Sequence, residues 1–83
     1  MSDKNIDVIA LYQEAAQEVA GRKLEGLTLD SKLSELQLDS VLVLEMTGYV
    51  EQKLSIRFDD EDLSRLTTLR DLAELIEKTR RAA

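Results

Sequence analysis

The sequence predicts an all-α fold: a four-helix bundle with three main helices, one short third helix and a long first loop. Apolar residues recur every three or four positions in several stretches of the chain, which is the spacing of one helix face. Signals for strands are weak, because β-branched residues are few and no hairpin dipeptide occurs. The chain has 83 residues, and this length predicts a single domain over residues 1–83.

The first predicted helix covers residues 5–20 and ends at Gly21, since glycine adopts the left-handed conformation that closes many helices. Its apolar stripe consists of Ile6, Ile9, Tyr12, Ala16 and Val19. Residues 22–39 follow as a long connection with turn-forming residues and six leucines. A connection so rich in leucine is expected to lie across the core.

Residues 40–54 form the second predicted helix, capped by either Asp39 or Ser40. Its apolar stripe is Val43, Met46, Val50 and Leu54, and we expect Val41 and Leu44 to widen it. Gly48 lies inside this helix, where glycine costs about 1 kcal/mol relative to alanine. It either marks a close approach by a partner or another segment, or is simply tolerated.

The third predicted helix, residues 59–66, is short and carries acids in its first turn, where they suit the helix dipole. Thr68 and Asp71 then resemble a capping box at the start of the last helix. We expect ten residues to form the buried core: Ile9, Leu36, Val43, Met46, Val50, Leu54, Phe58, Leu69, Leu72 and Ile76.

The composition excludes several classes of function. The chain contains no cysteine and no histidine, so it lacks thiolate metal ligands, a cysteine nucleophile and the commonest general base. A net charge of −6 argues against binding to nucleic acid. No apolar segment is long enough for a signal peptide or a membrane span, so we expect a cytoplasmic protein.

The negative charge is concentrated in residues 35–62. This segment holds two basic residues, Lys53 and Arg57, against eight acidic ones: Glu35, Asp39, Glu45, Glu51, Asp59, Asp60, Glu61 and Asp62. In the rest of the chain acids and bases balance. The segment is either an ordinary solvated surface or a face that steers a basic partner toward Ser40.

Ser40 is the candidate functional residue. It follows Asp39 at the predicted start of an apolar helix, a place that is exposed and held on a rigid element. A serine without a neighbouring base is a poor nucleophile but a good attachment point. The pattern therefore favours a carrier over a catalyst.

These residues resemble the acyl carrier proteins, the phosphopantetheine-binding family of fatty acid, polyketide and nonribosomal peptide carriers. The resemblance lies in the leucine-rich approach to Asp39-Ser40-Val41 and in Glu45 and Met46 one turn later. It continues through residues 54–58, the acidic residues 60–63 and Thr68-Leu69, and is firmest over residues 29–76. It implies a carrier fold and no catalytic activity.

The resemblance also implies the cofactor and partners. A phosphopantetheinyl transferase would attach 4′-phosphopantetheine from coenzyme A to the Ser40 hydroxyl, and the arm would hold intermediates as thioesters. Acyl-loading and acyl-consuming synthase enzymes with basic patches would then dock on a monomeric carrier. The expected docking residues are Asp39, Val41, Leu42, Glu45 and Glu51.

Four positions depart from the common family pattern: Gln37, Val41, Leu42 and Gly48, of which Val41 is a mild change. They favour a dedicated carrier of polyketide or related secondary-metabolite biosynthesis over a standard fatty acid synthase carrier. Two alternatives remain open from the sequence. In the first, the chain is an aminoacyl or peptidyl carrier of a nonribosomal pathway. In the second, it is a helical interaction domain that is never modified.

Overall fold

The computed structural model describes residues 7–36 and 38–82, and of Ala82 only the backbone. The described residues form four α-helices: α1 (Val8–Ala20), α2 (Ser40–Leu54), α3 (Asp60–Leu63) and α4 (Leu69–Ala82). A 3-10 helix, Leu33–Leu36, lies in the connection between α1 and α2. Within these residues the only strand-like pairing is one antiparallel bridge, Lys32 with Thr68. The predicted all-α bundle is confirmed.

Helix α1 begins and ends at residues suited to those places. The Asp7 side chain accepts a bond from the Ala10 amide at 3.1 Å. Gly21 closes the helix with φ of 64°, a conformation that costs glycine little, and the predicted stop is confirmed. The helix begins at Val8, later than the predicted residue 5, because Asp7 has an extended backbone and serves as the N-cap. Residues 5 and 6 of the predicted helix lie outside the described residues.

The buried face of α1 differs from the predicted stripe. Tyr12 and Ala16 are buried as expected, but Val8, Leu11 and Ala15 are also buried. Ile9 and Val19 are only half-buried, and Ile6 lies outside the described residues. Because most positions from Val8 to Ala16 are apolar, periodicity alone leaves the orientation of the helix open, and packing against α2 and α4 decides it.

The leucine-rich connection does lie across the core. Leu24 is buried, and five further leucines pack against the core: Leu27, Leu29, Leu33, Leu36 and Leu38. Thr67, just before α4, and Arg70 in its first turn hold the connection by backbone bonds: Leu33 N donates to Thr67 O at 2.8 Å, and Arg70 N donates to Leu29 O at 2.8 Å. A segment with few helical bonds of its own is thereby fixed in place.

Hydrogen bonds confirm the predicted capping box of α4. Asp71 Oδ2 accepts from the Thr68 amide at 3.1 Å, while Thr68 Oγ1 accepts from the Asp71 amide at 3.2 Å. Helix α3 is shorter than the predicted residues 59–66. After Leu63 the chain continues as turns, with Arg65 N bonded to Asp62 O and Leu66 N to Leu63 O.

Six of the ten predicted core residues are buried: Met46, Val50, Phe58, Leu69, Leu72 and Ile76. The other four, Ile9, Leu36, Val43 and Leu54, are half-buried, which corrects the prediction. They lie at the margin of the core, where an 83-residue chain has too little mass to cover every apolar residue. In the part of the chain that the structure describes, no helix is long and apolar enough to cross a membrane.

Candidate functional site at the start of helix α2

Asp39 caps helix α2. Its backbone is extended (φ −78°, ψ 170°), and its side-chain Oδ1 accepts a bond from the Leu42 amide at 2.8 Å. The Asp39 carbonyl also accepts from the Val43 amide at 3.0 Å. Of the two caps that the sequence allows, the structure therefore selects Asp39, and Ser40 becomes the first residue of the helix.

Ser40 is exposed on this first turn. Its hydroxyl and the amides of Ser40 and Val41 bond to no other described residue. Unpaired amides at the N-terminus of a helix favour negative charge, because they add to the positive end of the helix dipole. The 15-residue helix thus presents a free hydroxyl in surroundings suited to a phosphate ester.

The residues around Ser40 form an exposed apolar and acidic face. Val41 is 60% exposed and Leu44 is 64% exposed, so the expectation that they widen the buried stripe is wrong. Leu42 is half-buried. Glu45 is exposed and forms no ion pair with another described residue. We call Ser40, Val41, Leu44 and Glu45 the α2 face.

Leu44 is a residue that sequence reasoning placed on the wrong side of the helix. A signal was nevertheless present, because residues four apart lie on the same helix face. Leu44 is four positions after Ser40, and Glu45 is four after Val41. If Ser40 is exposed, Leu44 is expected beside it.

Glu51, predicted to meet a partner, is half-buried and already engaged within the bundle. Its Oε2 accepts a bond from the Phe58 amide at 2.7 Å, which ties the end of α2 to the following link. Two acids of α3 are also paired, Glu61 with Arg65 at 3.3 Å and Asp62 with Lys78 at 3.8 Å. Part of the acidic segment is therefore balanced by bases from outside it.

Two further departures from the family pattern are Gln37 and Gly48, and the structure describes only Gly48. Gln37 lies outside the described residues. At Gly48 a Cβ atom would meet no other atom within 4 Å, so no segment of the described chain approaches it closely.

A cavity of about 520 Å³ opens beside the start of α2. Its walls are mainly apolar, and three of them, Leu38, Val43 and Leu44, flank Ser40 in the sequence. The other lining residues include Leu63, Leu66 and Tyr12. Small-molecule pockets have volumes of roughly 300–1,000 Å³ with a few polar groups in apolar walls, and this cavity fits that description.

Tyr12 lines this cavity from α1, and the polar residues Ser34, Thr47, Asp60 and Ser64 line it as well. Tyr12 is 2% exposed, and its hydroxyl has no hydrogen-bond partner among the described residues. Burial raises the pKa of Tyr12 to about 12, so the phenol stays protonated and able to donate.

Comparison with known proteins agrees with this geometry. The sequence profile of the family described as "Phosphopantetheine attachment site" matches residues 13–76. An acyl carrier protein of Rhodococcus erythropolis is 30% identical over 94% of this chain and 87% of its own length. The non-reducing polyketide synthase tazA of Aspergillus terreus is 24% identical over 90% of this chain, which spans 3% of that longer protein.

A solved structure gives the same result for the fold. The crystal structure of an acyl carrier protein from Thermotoga maritima superposes with a TM-score of 0.82 at 28% identity, covering 90% of this chain and 88% of that one. Members of this family are carriers rather than catalysts; they work with synthases and are modified by a phosphopantetheinyl transferase. The chain therefore belongs to the acyl carrier proteins, and its cofactor is a covalently attached 4′-phosphopantetheine.

Proposed function

We propose that Ser40 carries the 4′-phosphopantetheine arm, and that the chain delivers acyl intermediates to partner enzymes of polyketide or related secondary-metabolite biosynthesis. The observation that carries the proposal is the exposed Ser40 hydroxyl at the Asp39-capped N-terminus of α2, beside an apolar cavity. The arm supplies the thiol for a thioester, which a chain without cysteine does not have.

The contribution of this chain to attachment is positional. The Ser40 oxygen forms a bond to the β-phosphorus of coenzyme A, the pyrophosphate bond breaks, and adenosine 3′,5′-bisphosphate leaves. In the proposed reaction the hydroxyl proton passes to a base of the transferase. The unpaired first-turn amides favour the phosphodiester that results.

The other described serines fit the arm less well. Ser31 Oγ already accepts a bond from the Thr28 amide, and Ser64 Oγ donates to the Glu61 carbonyl. Ser55 lies at the C-terminal end of α2, where the helix dipole disfavours a phosphate. Ser34 is exposed, but it lies within the four-residue 3-10 helix.

Intact mass spectrometry tests the attachment. Incubation with a promiscuous phosphopantetheinyl transferase, coenzyme A and Mg²⁺ is expected to add one phosphopantetheinyl group to the wild type and none to Ser40→Ala. Ser34→Ala is the matched control, since it removes the neighbouring exposed hydroxyl and should be modified like the wild type. An unmodified wild type, under conditions that load a control carrier, overturns the proposal; a mass increase in Ser40→Ala overturns the site.

The α2 face supports a docking proposal. Val41 and Leu44 are apolar and exposed next to Ser40, and the exposed Asp39 and Glu45 supply negative charge for a basic partner. Leu42 offers less surface for docking because it is half-buried. Glu51 stabilises the fold instead, since its side chain accepts a hydrogen bond from the Phe58 amide. Exposed charges of this kind act mainly on association rate and its salt dependence, at about 0.2–1 kcal/mol per pair.

Three aspartate variants separate docking from folding. Val41→Asp and Leu44→Asp are expected to melt close to the wild type and to slow modification by the transferase or loading by the cognate enzyme. Leu42→Asp is expected to lower the melting temperature as well, because its side chain is partly covered. Unchanged reaction rates in both Val41→Asp and Leu44→Asp would contradict docking on this face.

The pathway is supported less directly than the attachment. The match to a polyketide synthase and the Leu42 and Gly48 departures favour a secondary-metabolite carrier. Loading by the enzymes encoded next to this chain is the direct test. Transfer of a malonyl-type extender unit supports the assignment, and exclusive acceptance of an aminoacyl group contradicts it.

A further inference from the structure

A second groove, with a volume of about 900 Å³, runs beside α2 beyond the cavity next to Ser40. Four residues line both the groove and the cavity, so the two adjoin along the same side of the helix: Leu44, Thr47, Asp60 and Leu63. Arg57, in the link that follows α2, also lines the groove. We call it the distal groove, because it extends the surface beside Ser40 toward the far end of α2.

Gly48 leaves part of the distal groove open. It lines the groove, and a Cβ atom at this position would meet no other atom within 4 Å. Leu44, one turn before Gly48, lines the same groove and is 64% exposed. An exposed apolar side chain beside an open space on one helix offers a contact surface for an apolar side chain of another protein.

Arg57 brings a positive charge to the distal groove. It is exposed and lies in the acidic segment, with Asp59 and Asp60 two and three positions later. It nevertheless forms no ion pair with any residue that the structure describes. The other base of that segment, Lys53, is paired with Glu14 at 2.6 Å. Arg57 is therefore the basic residue of the acidic segment whose charge pairs with no described acid.

We propose that the distal groove binds the acyl-loading enzyme, through an apolar side chain of that enzyme at Gly48 and a carboxylate of that enzyme opposite Arg57. The inference rests on the docking proposed beside Ser40, with which the groove is continuous. It adds an acidic group at one end of a partner surface that is expected to be basic at the other end, opposite Asp39 and Glu45.

The charges along this side of the molecule make docking directional. Helix α2 is about 21 Å long at 1.5 Å per residue, with exposed Asp39 and Glu45 toward its start and Arg57 just past its end. A partner surface that is basic throughout is attracted at the acids and repelled at Arg57. A surface with a carboxylate about one helix length from its basic residues matches both ends in one orientation, and the reversed orientation places like charges together. An arginine also holds a carboxylate by two parallel hydrogen bonds, which fixes the geometry of the contact.

Zero-length cross-linking tests the contact at Arg57. A carbodiimide joins an amine to a carboxylate that touches it and does not react with a guanidinium, so Arg57→Lys supplies the amine and keeps the charge. With the acyl-loading enzyme encoded next to this chain, position 57 of this variant is expected to cross-link to an aspartate or glutamate of the enzyme, located by peptide mass spectrometry. Lys32 is the control within the same molecule, because it is exposed and does not line the distal groove. It should give no such cross-link.

Charge reversal measures the effect on docking. Arg57→Glu is expected to raise the KM for the carrier about 3- to 10-fold at low salt with little change in kcat, and the effect should shrink at high salt. Arg81→Glu is the matched control, because it makes the same change in net charge at an exposed residue of α4 outside the groove. Its KM should change by less than about twofold. Circular dichroism melts verify that both variants are folded.

Gly48→Leu tests the apolar part of the contact. The added side chain fills the open space, so the variant is expected to melt no lower than the wild type and to show a raised KM for loading. A KM equal to that of the wild type would show that no partner side chain enters at Gly48.

The outcomes separate this inference from the docking proposed beside Ser40. If Val41→Asp and Leu44→Asp leave loading unchanged, both proposals fall. If those variants slow loading but Arg57→Glu is loaded as well as the wild type or better, the inference is wrong while docking beside Ser40 stands. Arg57→Lys that is loaded at the wild-type rate without a cross-link from position 57, or with equal cross-linking from Lys32, also overturns it.

Discussion

The two halves of helix α2 differ sharply in their surroundings. From Ser40 to Glu45 no residue is buried, and the apolar side chains of Val41 and Leu44 are 60% and 64% exposed. In the second half Met46 and Val50 are 0% and 1% exposed. One continuous helix therefore presents its first half to solvent and anchors its second half in the core.

Polar contacts strengthen the same division. In the second half Tyr49 and Lys53 both donate to Glu14 of α1, with Lys53 Nζ at 2.6 Å from Glu14 Oε2. These hydrogen bonds, first from Lys53 and then from Tyr49, lower the pKa of Glu14. The first half makes no such contact with another helix among the described residues. The anchored half thus gives the serine a fixed position without covering it.

The largest expected effect is on stability in the anchored half. Met46→Ala removes a fully buried side chain and should lower the free energy of unfolding by about 2–5 kcal/mol, because the loss of transfer energy is joined by the cost of a cavity. Urea denaturation followed by circular dichroism measures the loss.

Leu44→Ala is the matched control in the presenting half, because its side chain is already largely in water. It should change the free energy of unfolding by within about 0.5 kcal/mol. Equal losses in the two variants would show that the two halves of α2 do not divide their roles as described.

A smaller effect is expected at the junction of α2 with the loop. Asp39→Ala removes the acceptor for the Leu42 amide and should lower the free energy of unfolding by about 0.5–2 kcal/mol. Asp39→Asn keeps a capping oxygen and should recover most of the loss. A loss in Asp39→Asn as large as in Asp39→Ala would point to the charge, rather than the hydrogen bond, as the stabilising feature.

The smallest expected effect is a gain in stability at Gly48, which lies in the anchored half of α2 near its boundary with the exposed half. Gly48→Ala should raise the free energy of unfolding by up to about 1 kcal/mol, because a Cβ there meets nothing within 4 Å and alanine favours the helix. Gly21→Ala serves as the opposite control. Its φ of 64° strains any side chain, so this variant should be less stable than the wild type.

A further measurement sharpens the role of Gly48. If Gly48→Ala is more stable but slows loading by a cognate enzyme, the glycine serves a partner rather than the fold. If Gly48→Ala is less stable than the wild type, the open space around Gly48 does not determine the effect of this substitution on stability.

Sequence patterns correctly predicted the structural elements that depend on interactions between residues close together in the chain. The predicted bounds of α2, residues 40–54, are confirmed, and of the two caps that the sequence allows the structure selects Asp39. The reciprocal bonds of Thr68 and Asp71 were readable from their spacing of three residues. The leucine-rich connection was rightly expected to cover the core.

Orientation was less predictable. On α2, Val41 and Leu44 match the buried residues in hydrophobicity, and only the position of the helix against α1 exposes them. On α1, Val8 and Ile9 are both apolar and β-branched, yet Val8 is buried and Ile9 is half-buried. The hydrophobicity of a side chain shows that burial is favourable for it. A small core cannot cover every apolar side chain, so the packing of neighbouring helices determines which of them are buried.

The sequence by itself determined the helical class, the acidic segment, the absence of cysteine and histidine, and the serine at a helix start, because these depend on residue type and short-range spacing. Only the tertiary structure showed that Glu51 is bonded to the Phe58 amide and that Tyr12, from another helix, lines the cavity beside Ser40. Those relations join residues distant in the chain or depend on how each helix is turned, and packing of the whole bundle fixes both. The unpaired Tyr12 hydroxyl exists because the same packing that buries its ring supplies no acceptor for its oxygen.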